Sequence, residues 1–215
     1  MNSTFLKAAV CTVALLGLIS CSSEPAKTTE AKTDTTDTAK KAPAGPPEPV
    51  LAKEAFYDMY TPAHQWAADL MPVSLKSGEV AGVKNSDGKA GVWVAVFGSL
   101  AMKQVRTYTY SVADELPTIS KGVTAGEAEP WAGPTTVAET FQTSDFMIDS
   151  DAAYKTVAQK AAEWLKEPKN AEKPVSMSLG AAARFPSPVW YVLFGDAKSG
   201  YFAYVSATTG SIITK

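Results

Sequence analysis

Val189-Trp190-Tyr191-Val192-Leu193-Phe194-Gly195 has a counterpart earlier in the chain, Val92-Trp93-Val94-Ala95-Val96-Phe97-Gly98. Both read V-W-x-x-x-F-G. The later copy is apolar at every position before its glycine, the pattern of a central strand covered on at least one face. Three further anchors recur in the same order around the pair. Upstream, Pro72-Val73-Ser74-Leu75 matches Pro174-Val175-Ser176-Met177. Further upstream, Trp66 and Trp164 each follow an aromatic by ten positions, Phe56 and Tyr154. Downstream, Tyr108-Thr109-Tyr110-Ser111-Val112 resembles Phe202-Ala203-Tyr204-Val205. An ordered set of anchors at a nearly constant offset is the mark of an internal repeat.

Each copy then reads as a helix followed by strands. In the second, Tyr154, Val157, Ala158, Ala161, Trp164 and Leu165 fall on one stripe of an α-helix. Asp149, Ser150 and Asp151 stand at its start, where side-chain oxygens cap free N–H groups and negative charge suits the helix dipole. Lys166 and Pro168 mark its end. After the strand 189–194, a loop bounded by Gly195 and Gly200 leads into a strand over 201–205. Thr208-Thr209-Gly210 is a turn before a short last strand over 211–214. In the first copy, Pro62 removes a helical hydrogen bond, and Thr61-Pro62 is a good pair for a helix start. The expectation is a broken helix, 51–60 and then 62–71. Asn85-Ser86-Asp87-Gly88 is a turn, 115–134 reads as a long connection, and 136–142 reads as a strand opening the second copy. The expected fold is α+β: two tandem helix-on-antiparallel-sheet units, 51–135 and 136–215, packed as one pseudo-symmetric body.

Part of the second copy resembles a known family. Ile148-Asp149-Ser150-Asp151-Ala152-Ala153-Tyr154, then Val189-Trp190-Tyr191-Val192, then Tyr204-Val205-Ser206-Ala207-Thr208-Thr209-Gly210-Ser211-Ile212 looks like a PepSY-like domain. That family shows a D-S-x-x-A helix start, a W-x-V strand and a closing hairpin around T-G. The match covers roughly 141–215. Ala207 stands where the family has an acidic residue, and the first copy lacks the closing T-G. The resemblance implies small helix-on-sheet units of secreted and envelope proteins that restrain peptidases or bind envelope partners. It supplies no catalytic residue.

The N-terminus resembles that of bacterial lipoproteins. Lys7 is followed by an uncharged, mostly apolar stretch over 8–19, too short for a spanning helix, which needs about 20 residues. Leu18-Ile19-Ser20-Cys21 matches the lipobox. The resemblance implies a signal peptide over 1–20, cleavage between Ser20 and Cys21, and a diacylglyceryl group on the Cys21 thiol. Each buried CH₂ contributes about 0.8 kcal/mol, and the two or three chains of such proteins anchor them stably. Ser22, rather than Asp, follows the lipidated residue. That leans towards the outer membrane, facing the periplasm, in an organism that has one. The segment 21–50 holds the lipidated Cys and a linker. Over 22–50 it contains six Thr, five Ala, five Pro and no aromatic. It reads as a disordered tether, because it cannot bury enough apolar surface to offset chain entropy.

Composition narrows the function further. A net charge of −2 gives no basic footprint for nucleic acid. Cys11 and Cys21 are the only cysteines, both upstream of the folded part. That part therefore has no disulfide, no thiol nucleophile and no cysteine-based metal site. His64 is the only histidine and reads as a surface residue. No G-x-S-x-G elbow, P-loop or dinucleotide fingerprint is present. Asp145, Asp149 and Asp151 lack EF-hand spacing and read as caps rather than a calcium site. Glu127, Glu129 and Asp114 have nothing to set them as an acid–base pair. Trp131, in Glu129-Pro130-Trp131-Ala132-Gly133-Pro134, reads as a lid on the sheet or an exposed anchor. Strand addition suits a half-sheet with free edges, and Trp131, Tyr201 and Tyr204 are the candidate binding residues. The expected function is non-enzymatic, with no cofactor or metal: a lipid-anchored envelope protein that binds or restrains a protein or peptide. The alternative is a scaffold component of an envelope assembly.

Overall fold

The structure, a computed structural model, describes residues 45–135, 139–185 and 187–214. The signal peptide, Cys21 and the linker up to residue 44 lie outside the described residues. In chain order the elements are α1 (Ala52–Trp66), β1 (Met71–Gly78), β2 (Val92–Ser99), β3 (Gln104–Ser111), β4 (Gly122–Pro130), α2 (Ser150–Lys160), α3 (Ala162–Leu165), β5 (Val175–Gly180), β6 (Val189–Phe194), β7 (Tyr201–Ser206) and β8 (Ile212–Ile213). The protein is α+β. All eight strands form one antiparallel sheet in the order β4-β3-β2-β1-β5-β6-β7-β8. The β1–β5 pair, Ser74↔Gly180, Leu75↔Leu179 and Lys76↔Ser178, joins the two runs of strands.

Strand alternation divides the sheet into two faces. On β2, Trp93, Ala95 and Phe97 point towards α1, where Phe97 meets Phe56 at 5.5 Å between ring centroids. On β6, Trp190, Val192 and Phe194 point towards α2, where Phe194 meets Tyr154 at 5.5 Å. The core therefore lies between the sheet and the helices, with Phe56, Met59, Leu75, Trp93, Phe97, Leu179, Trp190 and Val205 all buried. Trp93 and Trp190 sit edge to face at 6.3 Å in its centre. Their indole N–H groups have equivalent partners. Trp93 Nε1 donates to the Val50 carbonyl at 3.0 Å and Trp190 Nε1 to the Ile148 carbonyl at 2.9 Å, each two residues before a helix.

Several local expectations need correction. The helix does not break at Pro62; α1 runs through it to Trp66. The missing N–H removes only the bond to the Asp58 carbonyl. Ala55, Phe56, Met59 and Ala63 hold the turns on both sides against the sheet. The stripe over 154–165 is instead divided, because Ala161 leaves helical geometry at φ −84°, ψ 3° between α2 and α3. The connection expected over 115–134 contains β4, which pairs along β3 from Ser111↔Gly122 to Gln104↔Pro130 with a bulge near Arg106. Its residues are largely exposed, so pairing rather than burial makes the strand. The strand expected over 136–142 is absent from residues 139–142. There Phe141 is buried and its N–H donates to the Pro72 carbonyl at 3.0 Å. Residues 136–138 lie outside the described residues.

Candidate functional site

The face of the sheet turned away from the helices carries the candidate site. The register places Lys76, Ser178, Tyr191, Tyr204 and Ile213 side by side in one row across β1, β5, β6, β7 and β8. Phe202, two residues before Tyr204 and opposite Leu193, lies on the same face and is 51% exposed. Tyr191 is 5.4 Å from Phe202 and 5.3 Å from Tyr204, centroid to centroid. The segment between β5 and β6 folds back over this cluster. Phe185 reaches Tyr204 at 5.0 Å, and the Arg184 guanidinium lies 4.6 Å over the Tyr204 ring and 4.8 Å over that of Phe185. Arg184 Nη2 also donates to the Tyr204 hydroxyl. That bond holds the guanidinium above the ring, where the π quadrupole favours it.

Between these elements is an open cavity of about 220 Å³, lined by Ser74, Lys76, Ser178, Gly180, Phe185, Tyr191, Tyr204 and Arg184 among others. Among the described residues, its only charged lining side chains are Lys76 and Arg184. Desolvation, reinforced by the neighbouring Tyr204, pushes the Tyr191 phenol up, so it remains a neutral hydrogen-bonding group. The arrangement offers apolar ring faces, hydroxyls and two cations. It is suited to binding.

A larger cleft of about 520 Å³ lies at the 79–85 loop and 172–175. Glu79, Glu115 and Glu172 face Lys84 and Lys173 there, and Glu115 is already committed to the Ala81 N–H at 2.9 Å. Its mixed charge selects no ligand of one sign.

The candidate binding residues expected from sequence are not brought together. Tyr204 is in the open-face row. Tyr201 points to the opposite face, 6.0 Å from Trp164 in the helix layer. Trp131 is half-buried over Gly98, whose missing Cβ leaves room for the indole, and its N–H donates to the Lys103 carbonyl at 2.8 Å. It is separated from β7 by β1, β5 and β6. Nor is 201–205 a free edge. β6 pairs along one side, and β8 covers Tyr204 and Val205 on the other. An outermost strand is instead β4, next to Trp131. Glu127, Glu129, Gly126, Pro130 and the bulge make it a poor template for strand addition.

The remaining polar candidates have structural partners. Asp149 accepts from the N–H groups of Ser150 at 2.7 Å and Lys53 at 3.0 Å. Asp151 accepts from Ala152 N–H and Asp114 from Lys121 N–H, both at 2.7 Å. Asp145 ends the 3₁₀ turn Thr143–Asp145. His64 is exposed near the end of α1, stacked 5.8 Å from Tyr60. Lys76, Arg184, Phe185 and Tyr191 escaped sequence reading. The usable signal was the alternation of Phe202 and Tyr204, which puts two aromatics on one face beside Tyr191.

No protein-family profile and no curated protein matches this chain. Among solved structures, a chain of Clostridium difficile 630 described as a candidate lipoprotein is similar. It has 13% identity and a TM-score of 0.49, over 80% of this chain and 94% of that one. Likeness at that level carries no argument about function. Among the described residues, no helix is long and apolar enough to cross a membrane.

Proposed function

We propose that this protein is a lipid-anchored component of the bacterial cell envelope, attached through Cys21, that binds or restrains a protein or peptide partner and catalyses no reaction. In this reading the folded part is two tandem PepSY-like units. Support comes from the order of elements, a helical segment (α1, then α2 with α3) followed by four strands, met twice along the chain. The matched indole–carbonyl bonds of Trp93 and Trp190 support it as well. The lipobox residues and Ser22 support the address, with the lipid in the outer membrane facing the periplasm where one exists.

One observation carries the binding function: helices cover one face of the sheet, while the other presents Tyr191, Phe202 and Tyr204 with Phe202 half-exposed. Clustered exposed aromatics are costly in water and concentrate binding energy in interfaces. The test is a photo-crosslinking residue in place of Phe202, compared in living cells with the same residue in place of the exposed Lys155 on α2. A discrete adduct at 202 that is absent at 155 supports the reading. No adduct, or equal adducts at both positions, sinks it. For the anchor, Cys21→Ser is expected to move the protein from the membrane to the soluble fraction.

A further inference from the structure

We infer that the open-face cavity holds an acidic peptide in extended form, its carboxylates met by Lys76 and Arg184 and its apolar side chains laid on Tyr191, Tyr204 and Phe185. This rests on the preceding reading that the face binds a partner, and adds the partner's chemistry. The first argument is charge. Among the described residues, the cavity walls contain Lys76 and Arg184 and no Asp or Glu, although acids slightly outnumber bases in the whole chain, which has a net charge of −2. Among the described residues, neither cation is in an ion pair. Two unneutralised cations collected in one cavity of an acidic protein complement an anionic ligand.

The second argument is geometry. Lys76 and Tyr204 lie at the ends of the row Lys76, Ser178, Tyr191, Tyr204, three strand spacings or about 14 Å apart along the sheet. Arg184 is stacked on Tyr204 and tied to its hydroxyl, so it meets a ligand as a preorganised planar fork, the geometry that accepts a carboxylate in two hydrogen bonds. An extended chain repeats its same-face side chains about every 7 Å, so carboxylates four positions apart reach both ends of the row, and the side chain midway between them, on the same face, lies over Ser178 and Tyr191. The Ser178 hydroxyl within the row, and that of Ser74 two residues from Lys76 on β1, supply neutral partners for peptide groups. An anionic bilayer fits less well. Membrane surfaces are held by clusters of basic residues over a broad area, and here two cations sit in a recess between aromatic walls.

The test uses the full chain and fluorescent peptides that carry Glu, Gln or Lys at two positions four apart with Val midway between them, with binding followed by anisotropy. The Glu peptide is expected to bind at least about tenfold more tightly than the Gln peptide, the scale of one charge-assisted hydrogen bond, and to weaken with salt. The Lys peptide is expected not to bind. Lys76→Gln and Arg184→Gln are each expected to remove most of the preference for Glu. Tyr204→Phe, which keeps the ring and removes the hydroxyl that places Arg184, is expected to remove less. Both cations are exposed, so an unchanged melting temperature separates lost binding from lost folding. Equal binding of the three peptides, or a preference for Glu that survives both cation substitutions, overturns the inference. So does capture by vesicles rich in anionic lipid with no discrimination among peptides. If the crosslink at 202 persists while the charge series is flat, the acidic ligand is wrong and the binding face stands. If the crosslink is also missing, the reading beneath it fails.

Discussion

Asp149 shows how much one side chain can organise. Leu51, at the N-cap of α1, offers no side-chain acceptor, and the first N–H groups of a helix have no partner within it. They are met from across the molecule. Asp149 Oδ1 accepts from Lys53 N–H at 3.0 Å while also capping its own helix through Ser150 N–H, and the buried Ser150 Oγ accepts from Ala52 N–H at 3.0 Å. One Asp-Ser pair therefore caps two helices. A single cap contributes about 1 kcal/mol, so Asp149→Ala is expected to lower unfolding free energy by about 2 kcal/mol in urea titration. A loss within about 0.5 kcal/mol, the ordinary scatter of surface substitutions, would leave the shared cap without energetic weight. Tyr108 gives the opposite case. Its ring is buried against Phe97, and its hydroxyl is buried with no hydrogen-bond partner among the described residues. Desolvation pushes the phenol up, and the positive Arg106 guanidinium, 5.7 Å over the ring, only partly offsets that. Leaving a buried polar group unmet costs about 1–3 kcal/mol. Tyr108→Phe is thus expected to be neutral or stabilising in thermal melts. A clear fall in melting temperature would mean that the hydroxyl has a partner in solution.

At the scale of elements, what was legible in the sequence followed apolar periodicity. The strands around Trp93 and Trp190 and the helix beginning after Asp149 bury a patterned face, and the spacing of their residues says so. β4 buries almost nothing: Gly122-Val123-Thr124-Ala125-Gly126-Glu127-Ala128-Glu129-Pro130 becomes a strand because β3 offers it a full ladder, and no local pattern announces that. Pro62 misled for a related reason. A proline signals a break by what it does to one turn, whereas the fate of α1 was settled by the apolar stripe on both sides of it. The open-face site was legible only through Tyr204, since Lys76 and Arg184 reach one cavity through strand order, and strand order is not written in any local window. The β6–β7 hairpin carries a prediction of its own. Asp196 accepts from Lys198 N–H, Ser199 N–H and the Ser199 hydroxyl, and these bonds, led by the hydroxyl, pull its carboxyl down to about 2. A carboxyl held below its unfolded value stabilises the fold above that unfolded value, about pH 4, and loses the contribution as the pH falls towards 2. Asp196→Asn is expected to flatten the acid limb of stability between those values, read as folded fraction by circular dichroism in moderate urea. Superimposable acid limbs for the two proteins would show that the hairpin bonds do not distinguish the ionised form.

For the whole molecule, the question is whether the two runs of strands fold separately or as one. The sequence reads as two tandem units packed as one pseudo-symmetric body, whereas two independent folds would melt in two steps. The contacts argue for one step. β1 and β5 pair directly in the middle of the sheet, so dividing the halves would expose two strand edges. Trp93 from one half meets Trp190 from the other at 6.3 Å, and Phe146, from the segment before α2, meets Phe56 of α1 at 5.5 Å. The caps of α1 come from the start of α2, so the start of α1 is incomplete without the other half. Each of these interactions alone is worth about 1 kcal/mol or less beyond burial, but all of them are lost together when the halves part. Indole burial also differs usefully between sites. Trp93 and Trp190 are buried where the halves meet, whereas Trp164 lies in the helix layer of one half and Trp131 over β2 of the other. The expected outcome is a single cooperative urea transition with coincident fluorescence and circular dichroism curves, in the intact protein and again within each of Trp131→Phe and Trp164→Phe. If fluorescence and circular dichroism gave separate midpoints within one protein, the central β1–β5 pair would be a hinge between two independent folds. The row from Lys76 to Tyr204 would then be a site that opens when they part, since Lys76 is contributed by one half and Tyr204 by the other.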